Sequence, residues 1–378
     1  MPRNEGKGVP HLKRLLLVTA LAVAASIAAA GQARATDYKV FLGEQVPCGF
    51  AKIPGCPAGI PSQTTLDSFF PGKVTIAAGD TITFSSVTFH SVAYGLKPPS
   101  FFLPDPAKGK YASLNDAAND PFYFVGMAKQ IYNGQAFGPF GPKQVSPGVA
   151  TSSGGLSSQG NGPNAKPGTY TYAFPKSGTF QLICTIHPGM KATVTVKPAG
   201  SKVPLSPTQV QAAALQGINA AWAKAKAQVA AAKPPAKTVY MGLGNEATTF
   251  SYFPNKLTVK AGTTVTFVNK SPEEPHNLTF GPKKYILNLQ KTTDLMPQGP
   301  TGPNQVSPFL LYGSEPKGGY KYDGTNHGNG FFATPVTIGP GPVPLPHSSS
   351  ITFTKPGKYT FFCWIHGPDM KGEIDVTA

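Results

Sequence analysis

The chain repeats itself. Phe70-Pro71-Gly72-Lys73-Val74-Thr75-Ile76-Ala77-Ala78-Gly79-Asp80-Thr81-Ile82-Thr83-Phe84 returns as Phe253-Pro254-Asn255-Lys256-Leu257-Thr258-Val259-Lys260-Ala261-Gly262-Thr263-Thr264-Val265-Thr266-Phe267. KSGTFQLICTIHPGMKATVTV returns as KPGKYTFFCWIHGPDMKGEIDV, and GPKQVSP (141–147) as GPNQVSP (302–308). Three matching segments in one order predict a tandem duplication. Each copy alternates apolar and polar residues with period two around a Gly turn, and β-branched residues dominate, so both read as strands. With 42 Gly and 40 Pro among 378 residues, yet 40% apolar residues, the composition suits many short strands joined by turns.

Outside the copies the composition changes. Arg3, Lys7, Lys13 and Arg14 precede an apolar run from Leu15 to Ala30, followed by Ala33-Arg34-Ala35, a small-x-small cleavage pattern. Residues 1–35 therefore read as a signal peptide of an exported protein, periplasmic or secreted. The run is short for a membrane span, and no transmembrane segment is expected in the mature chain. Between the copies, Ser206-Pro207 reads as an N-cap with Pro at the first helical position. Val210, Ala214, Ile218, Trp222, Ala225 and Val229 share one helical face until Lys233-Pro234-Pro235 ends the run. The division is 36–200 for the first strand-rich domain, 201–236 for a linker with an amphipathic helix over 206–232, and 237–378 for the second domain.

Beyond the leader the chain keeps 28 Lys and Arg against 16 Asp and Glu. In an exported protein this excess points away from nucleic acid, towards solvated surface lysines, an anionic surface or an acidic redox partner. Cys48 and Cys56, close together in a Gly/Pro-rich stretch, are expected to form a disulfide in an oxidising compartment.

The other two cysteines belong to a different pattern. Each half carries an upstream His and a terminal Cys, His, Met cluster: His90, Cys184, His187 and Met190, then His276, Cys363, His366 and Met370. Two imidazoles, a thiolate and a weak axial thioether make a trigonal site acceptable to both Cu(I) and Cu(II). Phe180, Leu182 and Cys184 alternate along one predicted strand, as do Tyr359, Phe361 and Cys363, so each Cys faces a core. A tight turn then returns His and Met towards the sulfur, while the upstream His comes from a neighbouring strand end.

These residues resemble the cupredoxins, in particular the plastocyanin and amicyanin group. CTIHPGM (184–190) is similar to the short ligand loop of amicyanins, CWIHGPDM (363–370) is one residue longer, and PHN (275–277) is similar to the upstream ligand motif. The resemblance implies an all-β fold of two Greek-key β-sandwich cupredoxin domains. It also implies two mononuclear type 1 (blue) copper sites and outer-sphere electron transfer to donor and acceptor proteins. It further implies that His187 and His366 present a ring edge at an apolar docking surface. Two departures stand out. Ser91 follows the first upstream ligand where Asn277 follows the second, so the ligand loops are braced differently and the potentials are expected to differ. Both domains also carry long Gly/Pro/Ser-rich insertions, with 93 residues between His90 and Cys184 and 86 between His276 and Cys363.

Copper enzymes built from such domains need further histidines around the type 1 Cys. Of the seven His, His11 lies in the leader, four serve the two centres, and only His327 and His347 remain. The chain is therefore expected not to be an enzyme. A copper carrier or scavenger is the alternative, although six Met and core-facing Cys ligands favour a retained metal.

Overall fold

Period-two alternation becomes paired strands in the computed structural model, which describes residues 35–46, 48, 57–61, 63–159, 166–293, 304–316 and 319–378. Residues 1–34 of the expected leader, with most of its cleavage pattern, and Cys56 lie outside the described residues. Cys48 is disulfide-bonded, and Cys184 and Cys363 are free.

The fold is mostly β. In the N-terminal half one sheet runs in the order Gly168–Ala173, Thr81–Ser86, Asp37–Leu42, Phe69–Phe70. The facing sheet runs Lys73–Ala77, Lys191–Lys197, Gly178–Ile183, Ala93–Tyr94, Thr151–Ser153, Pro139–Phe140. The C-terminal half repeats the order with Ser348–Phe353, Thr263–Lys270, Thr238–Leu243, Ala247–Phe253 opposite Lys256–Lys260, Gly367–Thr377, Gly357–Cys363, Thr279–Phe280, Phe332–Ala333. The parallel pairings match as well: Asp37–Leu42 lies beside Thr81–Ser86, and Thr238–Leu243 beside Thr263–Lys270. Side chains from both sheets fill each core, Leu42, Phe84, Tyr172 and Phe180 in one half and Met241, Tyr252, Phe267 and Phe361 in the other. Cys184 and Cys363 are part of these two cores.

Three devices join the halves. Strand Thr64–Leu66 leaves the N-terminal half and pairs with Ala247–Phe253, completing the second half's sheet. The helix Pro207–Ala231 is closed by a reciprocal capping box between Ser206 and Gln209. Its buried face (Val210, Ala214, Ile218, Ala221, Trp222, Ala225) follows the sequence pattern, with Val229 half-buried. Ala214, Ile218 and Trp222 pack with Phe41, Leu66 and Phe70 from one half and Ala247 from the other. This face is spent on protein rather than on a membrane surface. Among the described residues no helix is long and apolar enough to cross a membrane.

The third device is made by the insertions, whose role the sequence left open. Tyr111, Phe122 and Phe124 from the first insertion enclose a core with Ile286, Leu289 and Phe309 from the second. Phe309 stands edge-on to Phe122 and Phe124 at 4.9 and 5.0 Å between ring centroids. It also lies 5.5 Å from Trp364, the residue after Cys363. At the rim, His327 meets Asp116 of the first insertion at 2.8 Å and Glu315 at 3.1 Å. His347 donates from Nδ1 to the Ile338 carbonyl at 2.7 Å. Neither of these two histidines joins a metal-ligating group among the described residues.

Candidate metal centres

Strand Gly178–Ile183 delivers Cys184 to the rim of the first core, where a tight turn reverses the chain. The turn is closed by two backbone bonds at 3.0 Å, Cys184 N–H to the Met190 carbonyl and Met190 N–H to the His187 carbonyl. His90 is pinned from outside the turn. Its backbone exchanges hydrogen bonds with Leu156 at 2.9 and 2.6 Å, at the far end of the first insertion. His276 does the same with Thr337 at 2.8 Å in each direction. The insertions thus also clamp the upstream histidines.

In both halves the candidate ligating atoms converge. His90 Nδ1 lies 2.9 Å from His187 Nδ1, which is 3.6 Å from Cys184 Sγ. In the second half His276 Nδ1 lies 3.1 Å from His366 Nδ1, and Cys363 Sγ is 3.9 and 3.5 Å from the two. A point equidistant from those three atoms lies about 2 Å from each, the bond length of nitrogen and sulfur ligands to a first-row metal. Met190 and Met370, both buried, sit in the same cores as Cys184 and Cys363.

The surroundings suit a soft metal held by a thiolate. Burial alone would push each thiol up, but the imidazoles beside Cys184 and Cys363 prevail and hold both well below the usual thiol range. Burial lowers His90 and His276, favouring the neutral ring a metal needs. Each downstream His turns Nδ1 towards the cluster and Nε2 towards a carboxylate, the usual outer partner of a metal-bound imidazole. That carboxylate is the same for both: Glu274 Oε1 is 2.9 Å from His187 Nε2, and its Oε2 is 3.4 Å from His366 Nε2. Burial opposes charge on His366, but Cys363 and Glu274 raise it to about 10.

This overturns one expectation drawn from the resemblance. Neither ring edge faces an apolar docking surface; both face an acidic interior. His187 is 5% exposed, and the His366 ring is covered by Phe250, stacked 4.4 Å away. Glu273 accepts a bond from Gly189 N–H at 2.7 Å, and Asp67 is buried beside His187 and Glu274.

The Ser91/Asn277 difference has a definite geometry. Asn277 Oδ1 accepts from Trp364 N–H at 2.7 Å, and Ser91 Oγ accepts from Thr185 N–H at 2.8 Å. Each therefore braces the residue after its Cys. The serine is shorter, and Thr185 fills the gap by pairing hydroxyls with it at 2.7 Å. The first sulfur also receives Ser91 N–H at 3.3 Å and His187 N–H at 3.4 Å, with the Ser91 hydroxyl 3.6 Å away. No backbone N–H or hydroxyl group comparably approaches Cys363 Sγ among the described residues.

Sequence reasoning missed Glu273, Glu274 and Asp67, and it missed Gly43 and Gly242, which lie against the Nε2 edges of His90 and His276. A signal for the glutamates was the asymmetry of the copies: Glu273-Glu274-Pro275 precedes His276, where Val87-Thr88-Phe89 precedes His90.

Residues 239–377 match the copper-binding proteins of the plastocyanin/azurin family. Similar solved structures include a novel purple cupredoxin from Nitrosopumilus maritimus, 18% identical over 37% of this chain and 98% of that one, TM-score 0.20. A mutant of amicyanin in its Cu(I) form is 18% identical over 40% and 90%, TM-score 0.20. A mutant plastocyanin of fern is 22% identical over 37% and 99%, TM-score 0.18. A search of the curated proteins finds no match. The matched stretch contains His276, Cys363, His366 and Met370 together, so the similarity to the copper-binding plastocyanin/azurin family spans the second half's whole candidate ligand set.

Proposed function

We propose that this chain is an exported electron-transfer protein with two tandem Greek-key cupredoxin domains, each holding one type 1 copper. The family is one of copper-binding electron carriers, and this reading extends that role to both halves. The observation that carries it is the recurrence of one ligand geometry, Nδ1, Nδ1 and Sγ drawn together at the edge of each core. His90, Cys184, His187 and Met190 would hold one metal, and His276, Cys363, His366 and Met370 the other. Copper would supply the one-electron couple. The chain's part is to fix the ligands in a single arrangement suited to both oxidation states and to exclude water, so that little rearranges when an electron moves. Full burial of Cys184 and Cys363 favours a retained metal over one handed on. Donor and acceptor proteins are expected to dock outside the acidic interior that both downstream histidines face.

Metal analysis with visible absorption on the purified protein tests this. Two coppers per chain with an intense thiolate-to-copper band support it. Cys184→Ser and Cys363→Ser should each remove one copper and about half the colour. Retention of full colour and metal by the double variant overturns the assignment, and reversible release to a Cu(I) chelator of modest affinity would favour the carrier.

A further inference from the structure

Glu274 stands between the two candidate centres and belongs to neither. Its two oxygens are divided between the rings, Oε1 to His187 Nε2 at 2.9 Å and Oε2 to His366 Nε2 at 3.4 Å. We propose that His187, Glu274 and His366 form an intramolecular electron relay joining the two centres, with Glu274 as its positioning residue. The proposal rests on the reading that both halves hold copper.

Several contacts build this bridge. Glu274 is 8% exposed, and its own backbone is fastened at both ends. Its N–H donates to Ser271 Oγ at 3.2 Å, and its carbonyl accepts from Asn269 Nδ2 at 3.0 Å. It lies two residues before His276, on the segment that supplies the second half's upstream ligand. The preceding Glu273 reaches into the first half's ligand turn and holds Gly189 N–H at 2.7 Å. A β-carbon at Gly189 would fall against that carboxylate and displace it. The second half thus grips the first half's His-Pro-Gly-Met turn through two consecutive carboxylates.

The chemistry follows from this connectivity. Each imidazole can bind metal through Nδ1 while turning Nε2 to the same carboxylate, hydrogen-bonded at His187 and in ion-pair contact at His366, which leaves a path of covalent bonds and short polar contacts from ring to ring. One electron passes along it, so that one centre is oxidised as the other is reduced. Both N–H protons stay on their rings, and no other reactant is needed. The same arrangement makes one negative charge common to both centres. Positive charge added at one centre also repels positive charge at the other, so the two should oxidise with negative cooperativity.

The test uses the full chain, wild type, Glu274→Gln and Glu274→Asp, with folding checked by circular dichroism. Metal content is measured first. Fewer than two coppers per chain in the wild type overturns the two-centre reading and the relay with it. With two bound, a one-electron photochemical pulse followed by spectral redistribution between the centres reads the internal transfer rate. The relay predicts at least a tenfold slower rate in both variants. It also predicts that Glu274→Gln raises both potentials, while Glu274→Asp, which keeps the charge but cannot span both rings, leaves them nearly unchanged. A metal-free measurement is independent of copper: the Nε2–H proton resonances of His187 and His366 should both move upfield in Glu274→Gln, whose neutral amide is the weaker acceptor. An unchanged rate, a shift of only one potential, or movement of only one resonance overturns the relay with the copper reading intact. So does a third bound metal removed by Asp67→Asn, because His187 Nε2 would then be a ligand.

Discussion

Gly43 lies so close to His90 that a β-carbon on the glycine would fall 2.7 Å from the ring Nε2. Gly242 stands in the same relation to His276, and both glycines have positive φ, 76° and 66°. Only glycine gives the backbone this conformation without strain and leaves room for the ring. Gly43→Ala should therefore displace His90 and weaken copper at the first centre about 10- to 100-fold, as loss of a ligand-orienting contact does. The second centre should stay unchanged, and Gly242→Ala should give the mirror result. Competition titration with a Cu(I) chelator reads both.

The sulfur environments predict the order of the two potentials. Hydrogen bonds to a thiolate draw charge from it and favour the reduced metal. Cys184 receives Ser91 and His187 N–H groups that have no counterpart at Cys363, so the first centre should have the higher potential. One such bond is worth about 1 kcal/mol, on the order of 50 mV for one electron. Ser91→Ala keeps its backbone bond to Cys184 but removes the hydroxyl and leaves Thr185 N–H unpaired. It should lower the first potential by no more than that amount, as protein-film voltammetry would show.

His327 predicts a pH dependence of stability. Burial opposes its charge, but the Glu315 and Asp116 carboxylates prevail and raise its pKa above the ordinary imidazole value. A group whose pKa is raised by folding stabilises fully below its unfolded value, near ~6.5, and loses that contribution as pH climbs through the folded one. Thermal unfolding should therefore occur at lower temperature as pH rises above neutrality. His327→Gln should flatten that dependence and cost about 1–3 kcal/mol at pH 6.

The aromatic core between the insertions predicts cooperative unfolding. Phe309→Ala removes the ring that Phe122, Phe124 and Trp364 all touch, and should cost about 3–5 kcal/mol. Because that core contains residues from both halves, wild-type calorimetry should show one transition. Two well-separated transitions would contradict the packing.

The strands, the helix face and the paired Cys-His-Met clusters were legible because each rests on local periodicity or on a repeated spacing. Cys184 and Cys363 face inward as alternation requires, and Ser206 caps its helix as its chemistry suggests. Apart from Gly43 and Gly242, what escaped depends on contacts between the copies. Nothing local to His187 says that its Nε2 will meet Glu274, which lies 87 positions later. The familiar role of an exposed ring edge presumes a lone domain, and here the neighbouring half covers it. Phe122 and Phe309 likewise look like loop residues until the two insertions meet.

Strand Thr64–Leu66 has a consequence for how the molecule can be divided. It lends its hydrogen-bonding edge to Ala247–Thr249 of the second half. A gene fragment beginning at Lys237 would encode every ligand of the second centre yet leave that border strand bare, inviting the next molecule to dock there. Solubility of such a truncated product would depend on the donated segment being restored, for instance as an added peptide.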